Sequence, residues 1–381
     1  MAKSTKNETK KDRSVEVATN GNGAEAVAPT HNFDLELLRR LTTVPGISGR
    51  EEQVRALVIE EMKPLVDDIR VDALGNVIGT RKGKGNNKTK VMLAAHMDEI
   101  GFIVKFVDSR GYLRVQPVGG HDASVLVAQR VLVHTSDHGT LRGILTPTRK
   151  PIHLQKDKAE GLPTLSELFI DLGIEGEEVK KMVEIGDFVT MDRTMEIIGN
   201  CVVSKALDDR SGLFVMLETL KRLKDHDVTI YAVATVQEEV GTRGATTAAY
   251  EINPDVSIAL DTTLAVEMPG SAEHETVTSL GKGVAIKIMD GGHIAHPHMI
   301  RHLRTLARRE NIPFQLEVLP GGTTDAAAMQ KVHSGNVSAT LSLPSRYVHT
   351  VNEMVHLADI EADIALLSAY LTEVQPDDYK L

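Results

Sequence analysis

The sequence predicts an α/β domain interrupted by an inserted β module, and three observations carry that reading. Over the second half of the chain, apolar runs that end in carboxylates or histidine alternate with helical patterns. A short apolar run at residues 91–95 stands immediately ahead of His96-Met97-Asp98. Between the two, short β-like runs are separated by Gly, Asp-Ser and His-Gly signals and show no helical period. With 381 residues, 41% of them hydrophobic, the chain is long enough to bury two cores.

Taken in order, residues 33–41 read as a short helix, and Gly49-Arg50-Glu51-Glu52 leads into a second in which Val54, Leu57, Val58 and Met62 recur at helical spacing. Residues 69–71 and 76–80 are expected strands around the turn Ala73-Leu74-Gly75-Asn76. The run Val91-Met92-Leu93-Ala94-Ala95 is continuous and apolar, as a strand covered on both faces requires. After about Gly101, runs at 102–107, 112–118, 130–133, 141–145 and 188–191 suggest a compact β module. A helix follows Asp209, with Leu213, Leu217 and Leu220 on one face. Strands are then expected at 228–236, 256–260, 284–289, 314–319 and 337–343, with helices at about 298–309 and 359–372. The resulting organisation is a tail at 1–32, an α/β domain formed by 33–101 and 201–381, and an inserted β domain at 102–200.

Composition narrows the function. A net charge of -10 makes neither nucleic acid nor an anionic membrane a natural partner. The lone Cys201 excludes an internal disulfide framework and fits a reducing compartment. The first 32 residues lack the apolar segment of a signal peptide and read as a disordered tail, and no apolar stretch approaches the roughly 20 residues that span a bilayer. A cytoplasmic protein is expected.

The strand ends carry the chemistry. In an extended segment alternate side chains share a face, so His96 and Asp98 can act together, one as metal ligand and the other as orienting partner of the far ring nitrogen; alone, the pair also reads as two satisfied surface groups. Asp208-Asp209-Arg210-Ser211-Gly212 lies between an apolar stretch and a helix, where a carboxylate could bridge two cations or simply cap the helix. Glu238-Glu239 ends the long apolar run at 228–236: one glutamate can ligate a metal while its neighbour takes a proton from metal-bound water. Asp261 and His349 each end a further run. Two imidazoles and several carboxylates at the ends of one series of strands form the ligand inventory of a two-metal hydrolase.

In combination, Ala95-His96-Met97-Asp98-Glu99-Ile100-Gly101, Lys205-Ala206-Leu207-Asp208-Asp209-Arg210, Gln237-Glu238-Glu239-Val240-Gly241, Gly321-Gly322-Thr323-Thr324-Asp325-Ala326 and Pro344-Ser345-Arg346-Tyr347-Val348-His349 resemble the tetrahedral, dinuclear glutamyl and deblocking aminopeptidases from residue 33 to the last helix. The resemblance implies a mixed-sheet α/β/α metallopeptidase domain with an inserted, β-barrel-like dimerisation domain, and dimers that assemble into a hollow dodecamer. It also implies that His96, Asp208 and Asp261 hold one metal and that Asp208, Glu239 and His349 hold the other. Glu238 would be the general base and Asp98 the partner of His96. Two divalent ions, Zn or Co, are implied as cofactors and short peptides as substrates. Gly119-Gly120 keeps the pattern of such enzymes, whereas Ser124 and Ala128 depart from it.

Other features are set aside. His293, His296 and His298 lie in a Gly/Pro-rich stretch without a carboxylate companion and read as exposed loop histidines. Gly83-Lys84-Gly85-Asn86-Asn87-Lys88-Thr89 lacks the spacing of a phosphate loop and reads as a solvated hairpin tip. A preference for acidic N-terminal residues would need a basic pocket, for which Lys282 and Arg346 are candidates. Three competing readings remain at this point. A glycoside hydrolase such as an endoglucanase also uses paired carboxylates, but this chain has no Trp and 3% aromatic residues for stacking sugars. A catalytically silent, metal-stabilised assembly protein would have no use for a free Glu238. A carboxypeptidase or deacylase would run the same metal chemistry from the other end of the substrate.

Overall fold

In the computed structural model, which describes residues 32–85, 87, 89–149, 152–154, 161–375 and 378–379, the chain opens with two helices set by local signals. The expected tail, apart from Asn32, lies outside the described residues. Asp34 caps α1 (Leu35–Thr43) by accepting the N–H groups of Glu36 and Leu37, which leaves Leu37, Leu38 and Leu41 to the core. Helix α2 (Glu52–Met62) buries Val54, Leu57, Val58 and Met62, the positions whose spacing predicted it. Strands β1 (Asp68–Val71) and β2 (Val77–Arg81) pair antiparallel, and β3 (Lys90–His96) follows.

The chain then closes a six-stranded barrel from β4 (Gly101–Val107), β5 (Leu113–Val118), β6 (Gln129–His134), β7 (Thr140–Pro147), β8 (Leu168–Asp171) and β9 (Phe188–Met191), ordered β4-β5-β8-β7-β6-β9. Phe102, Val104, Val115, Val131, Val133 and Val189 fill its interior, and α3 (Gly176–Met182) packs Val179 against them. Neither β8 nor α3 was legible in the sequence, because four- and seven-residue elements offer too few repeats of a period. β10 (Glu196–Ile198) already belongs to the larger sheet, so the barrel strands end at Met191.

That larger sheet is completed by β11 (Cys201–Ser204), β12 (Thr229–Thr235), β13 (Val256–Leu264), β14 (Val284–Met289), β15 (Phe314–Val318), β16 (Val337–Arg346) and β17 (Glu353–His356). Its eleven strands follow the order β1-β2-β12-β3-β13-β16-β17-β11-β10, with β14 on β16 and β15 beyond it. Strands β12, β3, β13 and β16 run parallel, as do β14 and β15, while β2 on β12, β14 on β16 and β17 on β16 pair antiparallel, so the sheet is mixed. β2 and β3 both flank β12 and do not pair with each other. The glycine-rich segment at 83–89, of which 86 and 88 lie outside the described residues, is therefore a crossover and not the expected hairpin tip.

Alternation along β3 explains the layers. Val91, Leu93 and Ala95 join the core shared with α4 (Leu207–Arg222), α6 (Pro297–Arg309) and α8 (Leu357–Glu373), while Met92 and Ala94 face α5 (Arg243–Ile252) and α7 (Asp325–Met329). The result is the α/β/α arrangement the sequence implied. Sequence patterning missed α5 because its inner face is mostly alanine (Ala245, Ala248, Ala249), and α7 because it has five residues. Among the described residues no helix is long and apolar enough to cross a membrane.

Candidate metal centre

The carboxyl ends of the four parallel strands open on one edge of the sheet, where ligands of such folds collect. His96 is the last residue of β3 and pairs in register with Thr235 of β12, so Glu238 and Glu239 emerge beside it. Asp261 lies on β13, and the chain beyond β16 turns back to deliver His349. Asp208 comes from the start of α4. Ala206, Gln237 and His349 take left-handed φ values of 56°, 55° and 63°, the sharp bends that carry side chains out of the strand direction. Each such non-glycine bend stores roughly 1–2 kcal/mol of strain. Specific acceptors offset it: Glu51 receives the Gln237 N–H at 3.2 Å and Glu353 the His349 N–H at 2.8 Å.

These turns bring all five candidate ligands together. His96 Nε2 lies 3.2 Å from Asp208 Oδ1, and His349 Nε2 lies 3.4 Å from Asp208 Oδ2 and 3.3 Å from Glu239 Oε1. Ligand atoms of His96, Asp208 and Asp261 lie within 4.8 Å of one another, and so do those of Asp208, Glu239 and His349. Asp208 is common to both groups. Glu238 belongs to neither, and its Oε2 stands 4.0 Å from His96 Nε2.

Asp98 serves the cluster in a way its sequence position did not suggest. Its carbonyl oxygen lies 2.9 Å from His96 Nδ1, whereas its carboxylate is 3.6 Å from that nitrogen. The carboxylate is engaged elsewhere: it accepts the N–H groups of Glu238 (3.0 Å) and Glu239 (3.1 Å) and the Ser48 hydroxyl (2.6 Å). With the main chain holding Nδ1–H, Nε2 is left free to face a cation.

Three supporting carboxylates received no role from the sequence. Asp209 accepts the His96 N–H at 3.1 Å and the Gly212 N–H at 3.0 Å, Asp325 accepts the Thr235 hydroxyl at 2.5 Å, and Glu353 accepts the N–H of Asp208 at 3.0 Å besides that of His349. Asp209 and Asp325 stand inside conspicuous motifs. Glu353, on a four-residue strand, carries no signal that patterning could detect.

The electrostatics mark a site short of positive charge. Burial, joined by repulsion from Asp208, holds Asp261 well above the usual carboxylate range. Burial likewise raises Glu238 despite the nearby His96, with Asp261 and Asp325 adding to it. His349, against its burial, is pushed up to about 11 by Asp208 and Glu239. Of the buried cations nearby, Lys205 pairs with Glu99 at 2.7 Å, and Arg210 donates to the carbonyls of Leu41, Val44 and Gly46 with Glu99 3.7 Å away. Asp208 Oδ1 is buried without a hydrogen-bond partner. Oxygen and imidazole donors with surplus negative charge fit divalent cations.

A cavity of about 600 Å³ opens over the cluster. Gly120, from the barrel loop after β5, forms part of its wall, and a Cβ there would lie 3.2 Å from His349 Nδ1, so glycine allows the loop its close approach. The basic candidates read from sequence are elsewhere: Lys282 is exposed and Arg346 pairs with Glu267 at 2.6 Å, and neither lines the cavity. The cavity's lysine is Lys287. The histidine cluster also differs from expectation. His293 is buried, because Asp290 accepts its N–H and draws the loop inward, and its ring meets the Ser338 hydroxyl at 2.7 Å; His296 and His298 are half-buried.

Known proteins resemble this chain over most of its length. The family model described as M42 glutamyl aminopeptidase matches residues 75–366. The chain is 36% identical over 356 residues to a lysyl aminopeptidase of Pyrococcus furiosus, covering 91% of this chain and 99% of that protein. Among solved structures, an aminopeptidase from the archaeon Desulfurococcus kamchatkensis superposes with a TM-score of 0.87 at 45% identity, covering 91% of this chain and 96% of that one. The Pyrococcus horikoshii TET1 peptidase, which can assemble into a tetrahedron or a large octahedral shell, gives a TM-score of 0.80 at 33% identity, with 89% and 99% covered.

Proposed function

Because this chain belongs to the M42 glutamyl aminopeptidase family and is a peptidase, we propose that it removes N-terminal residues from short peptides at a centre of two divalent cations, Zn or Co. His96, Asp208 and Asp261 would hold one cation, and Asp208, Glu239 and His349 the other. When bound, such a pair supplies an acidified water and polarises the scissile carbonyl. Glu238 is the base that receives the water's proton and returns it to the leaving amine. One observation carries this reading: Glu238, its side chain 11% exposed, stands beside the two ligand groups yet is a member of neither, which a purely structural site has no need of. Asp98 holds the peptide bearing Glu238, and the carboxylates of the cavity suit a substrate with a free, cationic amino terminus.

The barrel is proposed as the dimerisation domain, with dimers joining into a tetrahedral dodecamer. Exposed apolar side chains on it, Phe106, Val125, Val127 and Ile144, support the reading, as does the assembly of the Pyrococcus horikoshii relative. The lone Cys201 supports a cytoplasmic setting.

The test is Glu238→Gln, assayed on a short peptide with and without chelator. It should retain two metals per chain and lose about 10²–10⁴ in kcat. Activity near the original level would remove Glu238 as the base, and release of residues from the carboxyl end would overturn the aminopeptidase reading. Sizing by light scattering tests the dodecamer.

A further inference from the structure

Beside the metal-ligand cluster the cavity is lined by Thr262, Thr263, Leu264, Lys287, Leu319 and Pro320. Apart from the histidines of the cluster, Lys287 is the one cation among the described lining residues. In a peptidase pocket an isolated lysine would select an acidic side chain. This lysine is not isolated. Lys287 on β14 is the register partner of Glu317 on β15, and its Nζ lies 2.9 Å from Glu317 Oε1 and 3.7 Å from Asp290 Oδ2, all three side chains being at most 1% exposed.

The anions of this cluster outnumber its cation. Thr263, itself on the cavity wall, donates its hydroxyl to the same Glu317 oxygen at 2.5 Å and fixes the carboxylate against the lysine. Glu317 Oε2 and Asp290 Oδ2 are buried with no hydrogen-bond partner. Burial pulls the Lys287 ammonium towards neutrality, but Glu317 and Asp261 outweigh it and keep it charged. One cation thus faces two carboxylates, with Asp261 of the metal-ligand group close by. The remaining wall is aliphatic at Leu264, Leu319 and Pro320.

We propose, resting on the aminopeptidase reading above, that this cavity rejects an acidic N-terminal residue and accepts long uncharged or basic ones, and that Glu317 sets this choice by neutralising Lys287. A substrate carboxylate entering here would lose its water to meet a lysine already paired and two carboxylates with unsatisfied oxygens, and like charges so placed repel. A leucine or methionine side chain would pack on the aliphatic wall, and a lysine or arginine would lay its stem there while its cation met the surplus anion.

The experiment measures kcat/KM for aminoacyl-coumarin amides of Leu, Lys and Glu with the full-length, Zn- or Co-loaded protein, alongside Glu317→Gln and Thr263→Val. The wild type should cleave the Leu and Lys substrates at least ~10-fold better than the Glu substrate. Glu317→Gln should raise the Glu:Leu ratio by ~10-fold by exposing the lysine charge, and Thr263→Val should raise it less. If Glu317→Gln does not fold, the wild-type panel and Thr263→Val still decide the matter. Wild-type cleavage of the Glu substrate as fast as the Leu substrate would overturn the inference while leaving the aminopeptidase reading intact, and an unchanged ratio in both variants would overturn the role of Glu317. Cleavage of none of the three would instead count against the aminopeptidase reading.

Discussion

The carboxylate of Asp98 and the main chain of Glu238 meet at 3.0 Å, with the peptide N–H donating, and the neighbouring N–H of Glu239 meets the other carboxylate oxygen at 3.1 Å. Asp98 therefore fixes the segment that carries both the proposed base and a proposed ligand, while its own carbonyl holds the His96 ring.

Asp98→Asn separates these two jobs. The carbonyl remains, so His96 should keep its orientation and metal content should be unchanged. The amide offers one acceptor where the carboxylate offered two and turns an NH₂ group towards a peptide N–H, so Glu238 should lose its position and kcat should fall about 10–100-fold. Metal analysis with steady-state kinetics checks this. Loss of metal at unchanged kcat per bound metal would mean that the carboxylate acts on His96 instead.

Glu353 supports two proposed ligands at once through the N–H groups of Asp208 and His349. Its carboxyl is pushed up to about 8 by burial and by the Asp208 charge, so ligation and support are electrostatically opposed. Glu353→Ala should leave both N–H groups without an acceptor and weaken cation binding about 10–100-fold. Chelator competition measures the loss, and excess metal in the assay should restore most of the activity.

Asp363 on α8 is 1% exposed, both of its carboxylate oxygens lack hydrogen-bond partners, and burial next to Asp359 pushes its pKa up to about 8 from 3.8. The unfolded chain gives up this proton near pH 4 while the folded chain keeps it to about pH 8, so across that window the folded state binds more protons and stability falls as pH rises. Asp363→Asn removes the penalty. The variant should melt higher than the wild type at pH 8, by about 2 kcal/mol or more, and the two should converge near pH 4. A pH series of thermal melts tests it, and equal melting points at pH 8 would refute it.

Legibility in the sequence followed the length of the signal. Helix α2 and strand β3 declared themselves because several apolar positions repeat one period, and Glu238-Glu239 stood out as adjacent charges ending a long apolar run. Helix α5, with an alanine face, and strand β17, with four residues, gave no such repeat, and the support that Glu353 lends to Asp208 and His349 went unseen with them. Lys287 was hidden for a related reason: within Val284-Ala285-Ile286-Lys287-Ile288-Met289 a lysine looks like the solvent side of a strand, and it is buried only because β15 brings Glu317 opposite.

The amino-acid sequence by itself determined the alternation of strands and helices, the interruption by a β module and the residue types that collect at strand ends, since each follows from local periodicity and from charges that terminate apolar runs. Tertiary structure alone decided which atom of Asp98 meets His96, which carboxylates hold the turns, and which lysine reaches the cavity. Those outcomes depend on strand order and register, which bring together residues more than a hundred positions apart through hydrogen bonds that no local pattern records.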